Sequence, residues 1–150
     1  MIYSMPATYL SLNAHLVFRT KEGGPLLLQD RLGDTHAYIG GIIRKLDAVP
    51  IQIGGVDDHL HILVGFKSTH SVAQIVREVK KHSTEWIRND VPNFSWQIGY
   101  GGFTVSPERV KGVTKYIANQ PEHHKSMTFE EERTALIKFA GLDFDPRELQ

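Results

Sequence analysis

Residues 49–66 read VPIQIGGVDDHLHILVGF, two apolar runs separated by Asp57-Asp58. Runs of this length around a short polar pair predict an antiparallel hairpin, with strands at Val49–Val56 and His59–Phe66. Side chains alternate faces along a strand, so His59 and His61 project to one side while Leu60, Ile62, Val64 and Phe66 project to the other. The apolar side predicts a core beneath the strand. The two imidazoles share the opposite space, where they read either as surface histidines or as a pair of metal ligands.

Upstream, Leu10, Leu12, Ala14, Leu16 and Phe18 alternate within Tyr9–Thr20, which predicts a first strand with His15 turned away from its apolar stripe. Lys21-Glu22-Gly23-Gly24-Pro25 is a turn-rich loop. After Asp34, Tyr38, Ile42, Ile43 and Leu46 recur with helical spacing despite Gly40-Gly41. Downstream, Ser71 and Gln74 form a capping-box pattern ahead of a helix whose stripe is Val72, Ile75, Val76, Val79, Trp86 and Ile87. Its other face carries Arg77, Lys80, Lys81 and Arg88, either a solvated face or a phosphate-binding one, with Lys80 and Lys81 the stronger candidates. Phe94–Val105 predicts a fourth strand weakened by Gly99, Gly101 and Gly102, and its Trp96, Tyr100 and Phe103 are candidates for core packing or for stacking on a base.

Ser106 as N-cap and Pro107 at the first position open a last helix, which Pro121 is expected to stop just after Gln120. Val110, Val113 and Ile117 are its apolar stripe, and Gly112 allows a bend or a close approach. Residues four apart stack on one helical face, so Tyr116 lies beside Gln120. A phenol and an amide placed in this way can share one metal, although a half-buried aromatic accounts for Tyr116 equally well. With the histidine pair, the arrangement points to a metal-assisted tyrosine nucleophile that cuts DNA. Lys115, His123 and His124 flank it and are candidates for phosphate contacts, and the two histidines also for metal ligation.

The order strand, helix, hairpin, helix, strand, helix predicts an α+β fold, an antiparallel sheet with helices on one face. The DHLHILVGF stretch, the amphipathic helix after it and the KYIANQPEHH segment resemble the single-tyrosine HUH transposases of the smallest bacterial insertion sequences and the related REP-associated tyrosine transposases. Here HUH stands for histidine, hydrophobe, histidine, and the resemblance spans Asn13 to His124. It implies a ferredoxin-like sheet of the HUH endonuclease type, with His59, His61 and Gln120 binding a divalent metal and Tyr116 as nucleophile. The implied substrate is single-stranded DNA with a hairpin near the cut site. The implied chemistry is cleavage and rejoining through a 5′-phosphotyrosine. It further implies a homodimer that exchanges the Tyr116 helix. The tail after His124 lies outside the minimal family pattern.

Composition frames these readings. A chain of 150 residues is one domain's worth, here divided into a transposase-like domain over 1–125 and a tail over 126–150 with a short helix that packs on the domain or a partner. With no cysteine, metal ligands must be nitrogen or oxygen, a mixed set that leans to Mn²⁺ over Mg²⁺. The absence of cysteine, of a signal-peptide pattern and of a long apolar run leads to the expectation of a cytoplasmic protein with no membrane partner. Net charge is zero, unusual for a DNA-binding protein, but residues 1–125 hold 14 Lys and Arg against 11 Asp and Glu, and the acidic excess sits in the tail. Three other readings remain open: a domesticated, non-catalytic hairpin-binding protein, a replication or conjugation initiator nuclease, and a small ferredoxin-like domain that binds a metabolite.

Overall fold

The computed structural model describes residues 8–143, 145 and 147. Its elements run β1 (Asn13–Arg19), α1 (Leu32–Lys45), β2 (Val49–Val56), β3 (His59–Gly65), α2 (Val72–Ile87), β4 (Gly101–Thr104), α3 (Val110–Ala118), α4 (Gln120–His123) and α5 (Phe129–Phe139), with short 3₁₀ turns before α1 and α3. The four strands form one antiparallel sheet in the order β2-β3-β1-β4, the ferredoxin-like α+β arrangement expected from the sequence.

One face of the sheet carries Ala14, Leu16 and Phe18 of β1 with Leu60, Ile62 and Val64 of β3, packed against Ile39 and Ile43 of α1 and Ile75, Val76 and Val79 of α2. Full burial of each large aliphatic side chain is worth about 1.5–3 kcal/mol. This layer is therefore the main stabilising unit. The α2 helix starts where the sequence predicts, with Ser71 Oγ accepting from the Gln74 amide at 3.1 Å. The opposite face presents His15, His59, His61 and Leu63, and α3 to α5 cover it, so helices lie on both faces of the sheet rather than on the one expected. A smaller cluster there joins Leu63, Val105 and Ile117 to Ile51, Val110, Val113 and Tyr116.

Gly54 explains how close α3 comes. It pairs with His61, and a Cβ at this position would sit 2.5 Å from the Ile117 carbonyl oxygen. The missing side chain lets the α3 backbone rest on the sheet edge beside the histidines. Gly112, by contrast, faces open space, so the close approach anticipated there occurs at Gly54 instead. Gly54→Val is expected to lower the unfolding free energy by about 1–3 kcal/mol, as overpacking does, measured by urea denaturation.

Three boundaries differ from the expected ones. The first strand begins at Asn13 rather than Tyr9, and Tyr9 and Leu10 are exposed. The fourth strand is only Gly101–Thr104. Phe94 and Trp96 turn into the core, Trp96 Nε1 donates to Ser83 Oγ at 3.0 Å, and the Lys80 ammonium donates to the Gln97 and Gly99 carbonyls at 2.8 and 2.7 Å. Residues 95–97 still pair with the end of the first strand, through a Thr20–Trp96 bridge and a Gln97 amide that donates to the Arg19 carbonyl at 2.8 Å, so the expected strand is interrupted between Gln97 and Gly101. Pro121 does not end the helical path either. The break falls at Asn119, and Pro121 lies in the first turn of α4, where its missing N–H costs nothing.

Candidate metal and nucleophile centre

Because β3 is an inner strand covered on both faces, His59 and His61 are wholly buried. Two neighbours fix their rings. His59 Nδ1 lies 2.6 Å from Asp58 Oδ1 in the hairpin turn, which aims Nε2 into the space beneath α3 and α5. His61 Nδ1 lies 2.7 Å from His15 Nε2, with the two rings stacked at 5.0 Å. Outer partners that hold the far nitrogen of a ligating histidine set its tautomer and raise its basicity. Asp58 and His15 fill those positions.

Gln120, at the junction of α3 and α4, is fully buried and places Oε1 2.9 Å from His59 Nε2. Tyr116, one turn earlier, is half-buried with its ring 5.7 Å from that of His61. The three sequence-predicted metal residues and the predicted nucleophile thus converge within one chain.

The centre of the cluster is Glu132, from α5. Thr128 caps this helix by accepting from the Glu131 amide at 3.2 Å, and Phe129 seats it with its ring 4.6 Å from that of His59. Glu132 is 1% exposed. Its Oε1 lies 2.9 Å from His61 Nε2, 3.3 Å from His59 Nε2 and 3.2 Å from His124 Nε2, while Oε2 accepts from the Tyr116 hydroxyl and from Gln120 Nε2 at 2.9 Å. His124 is oriented from behind, its Nδ1 2.7 Å from the Met127 carbonyl. His123 Nε2 sits 3.3 Å from Oε2 but is a buried nitrogen without a hydrogen-bond partner.

This packing sets the charges. Burial pulls the pKa of His59 down, but hydrogen bonds to Asp58, Glu132 and Gln120 outweigh it and push the value up to about 9. Burial also acts on Glu132, upwards, yet the bonds from His59 and His61 hold its carboxyl well below the usual carboxylate range. Burial and the Glu132 carboxylate raise the Tyr116 phenol, so it rests protonated. Burial and neighbouring His61 lower His15 to about 3.

The raised His59 value contributes stability that is complete below its unfolded value near 6.5 and lost as pH climbs through 9, about 3 kcal/mol in all. The lowered Glu132 value contributes stability present above the unfolded carboxylate range and lost as pH falls. His15, neutral in the fold, adds a cost below 6.5. Thermal melts in EDTA are therefore expected to peak near pH 6.5 and to fall on both sides.

The donor set suits a divalent cation. Nitrogen or oxygen atoms of His59, His61, His124 and Glu132 all lie within 4.8 Å of one another, with the Gln120 oxygen adjacent and the His123 nitrogen still unpartnered. Three imidazoles with one carboxylate and one amide oxygen make a mixed nitrogen and oxygen donor set.

The other predicted residues divide between two sides of the sheet. Lys115 and His123 border the cleft beside Tyr116. Arg77, Lys80 and Lys81 lie on α2, which covers the opposite face, and the Lys80 ammonium is engaged by the 97–99 loop. Tyr100 is exposed, Trp96 is core, and Phe103 leans against His15 with ring centroids 6.1 Å apart. Sequence reasoning missed Glu132, Asp58 and His15 as members of the site. For Glu132 a signal existed, since it stands three residues after Phe129 and four before Leu136, on the inward face of its helix.

Residues 8–120 match the family described as Transposase IS200 like. Among solved structures, the chain is similar to a transposase candidate from Deinococcus radiodurans R1, at 21% identity over 80% of this chain and 98% of that one, with a TM-score of 0.61. It is also similar to a REP-associated tyrosine transposase bound to a REP hairpin, at 15% identity over 82% of this chain and 74% of that one, with a TM-score of 0.60. At such identities the likeness establishes the fold. A search of curated proteins finds no match.

Proposed function

This chain belongs to the IS200-like transposase family, enzymes that act on DNA, and from that premise we propose that it cuts and rejoins single-stranded DNA beside a hairpin through a 5′-phosphotyrosine. The observation that carries this reading is the meeting of Tyr116 with His59, His61 and Gln120 in one buried cluster. The hairpin substrate is supported by the neighbour that was solved bound to a REP hairpin.

In this mechanism His59, His61 and Gln120 hold a divalent cation, Mn²⁺ or Mg²⁺. Bound there, it would supply charge withdrawal at the scissile phosphate. Tyr116 Oη, held by its hydrogen bond to Glu132 Oε2, forms a bond to phosphorus as its proton passes to solvent, and the P–O3′ bond breaks as the 3′ oxygen takes a proton from solvent. A second 3′-hydroxyl reverses the step, so no nucleotide cofactor is consumed. Asp58 and His15 keep the imidazoles aimed. Lys115 and His123 border the site, where they meet the phosphate backbone, while His124 is turned into the cluster by its contacts with Met127 and Glu132.

The Tyr116 that reaches the cluster is on the same chain, which supports cleavage in cis; a homodimer that exchanges α3 would bring its partner's Tyr116 to the same place. Among the described residues no helix is long and apolar enough to cross a membrane. This accords with a cytoplasmic enzyme acting on DNA.

The test uses 3′-labelled single strands from the ends of the protein's own locus, incubated with Mn²⁺ or with EDTA. Label that stays with the denatured protein in Mn²⁺ and falls at least about 100-fold in EDTA supports the reading. Hairpin binding with no adduct in either condition favours a non-catalytic hairpin binder.

A further inference from the structure

We infer that Glu132, carried by α5 beyond the family-matched region, is a ligand of the metal centre through Oε1 and the positioning group of Tyr116 through Oε2. This deepens the metal-dependent reading above and rests on it.

The two oxygens of this carboxylate face different groups. Oε1 is surrounded by the Nε2 atoms of His59, His61 and His124 at 3.3, 2.9 and 3.2 Å, three nitrogens that converge on one oxygen with all four atoms within 4.8 Å of one another. Oε2 faces the Tyr116 hydroxyl and Gln120 Nε2. A buried carboxylate is costly unless it is paired, and among the described residues no Lys or Arg nitrogen lies within 4.0 Å of Glu132. Its neighbours are imidazoles, the Gln120 amide and the Tyr116 hydroxyl, and imidazoles are metal ligands in their neutral form. A divalent cation held among these imidazoles would pair with the carboxylate in place of a protonated histidine.

A second observation is independent of the carboxylate. His124, also beyond the match to residues 8–120, is 8% exposed and is aimed at the same space by the Met127 carbonyl behind its ring. Backing of this kind is how ligating histidines are oriented. Two residues of the C-terminal segment thus complete a ligand set that the matched region holds only in part. The same carboxylate links cation and nucleophile, so the tail aligns Tyr116 as well as closing the centre.

The experiment titrates the full-length, DNA-free protein with Mn²⁺, following the free-ion signal by electron paramagnetic resonance, and records the visible spectrum of the Co²⁺-loaded form. Glu132→Gln is expected to bind Mn²⁺ about 10- to 100-fold more weakly and to shift the Co²⁺ bands, as a change of coordination requires. His59→Ala serves as the reference for a lost ligand. Wild-type or tighter Mn²⁺ affinity in Glu132→Gln, together with loss in His59→Ala, would overturn the inference, leave the metal-dependent reading standing and make Glu132 a competitor for the cation's place. No Mn²⁺ binding by the wild type would sink both. Thermal melts without metal check folding, and if Glu132→Gln does not fold, Glu132→Asp, which keeps the charge but withdraws it by one methylene, carries the comparison with the same expected weakening.

Discussion

Tyr116→Phe is expected to abolish the covalent protein–DNA adduct, a loss of about four orders of magnitude or more, as deleting a nucleophile does. Among the described residues no other hydroxyl is placed to take its role: the groups around Glu132 are imidazoles, one amide and this single phenol. The substitution keeps the ring against His15 and His61 and removes one bond to a charged acceptor that retains Gln120. The stability cost is therefore about 1–2 kcal/mol. Mn²⁺ affinity is expected to remain within about twofold, because the phenol lies on the Oε2 side of the carboxylate, away from the imidazole nitrogens. Adduct gels, metal titration and denaturation on the same sample separate these effects. Persistent adduct in the variant would transfer the nucleophile to another residue.

His59→Ala has the second largest expected effect and acts on two quantities. Its Nε2 faces both Gln120 and Glu132 and its Nδ1 faces Asp58, so the variant loses a ligand, the partner of the hairpin carboxylate and one positive neighbour of a buried anion. Adduct formation in Mn²⁺ is expected to fall about 100- to 1,000-fold. Unfolding free energy without metal is expected to fall by about 3 kcal/mol, the low end for breaking a buried pair, because His61 and His124 remain beside Glu132. Combining His59→Ala with Glu132→Gln removes the uncompensated anion, so the double variant is expected to be more stable than the sum of the two losses predicts, by about 1–2 kcal/mol. Strict additivity would mean that the two side chains do not sense each other.

Much of this architecture is legible in local pattern. The alternation in HLHILVG assigns Leu60, Ile62 and Val64 to one face and the histidines to the other, and the i, i+4 relation links Tyr116 to Gln120. Even the placement of α2 away from the histidines was recoverable, since right-handed crossovers put both helices of such a unit on the apolar face of the sheet. The cations Arg77, Lys80 and Lys81 go with it. What local pattern does not carry is strand register and the docking of the tail. His15 reaches His61 only because β1 pairs with β3 so that Val17 stands opposite His61. Glu132 lies among three consecutive glutamates on a short helix, where solvation is the usual expectation, and only its position relative to Phe129 and Leu136 marks it as inward-facing. The break at Asn119 was equally hidden, because Pro121 fits both a helix end and a helix start.

The two halves of the centre differ in how firmly the protein holds them. His59 and His61 stand on an inner strand bonded along both edges, whereas Glu132 belongs to a helix held by Phe129 and by the site itself. Amide exchange should therefore be slowest across Leu60–Leu63, released only with global unfolding, and fast along Phe129–Phe139, released by detachment of that one helix. Substitutions that alter the sheet half risk the whole fold, while those in the tail adjust the chemistry and leave the scaffold intact. Activity can thus be raised, lowered or extinguished through the 11 residues of α5.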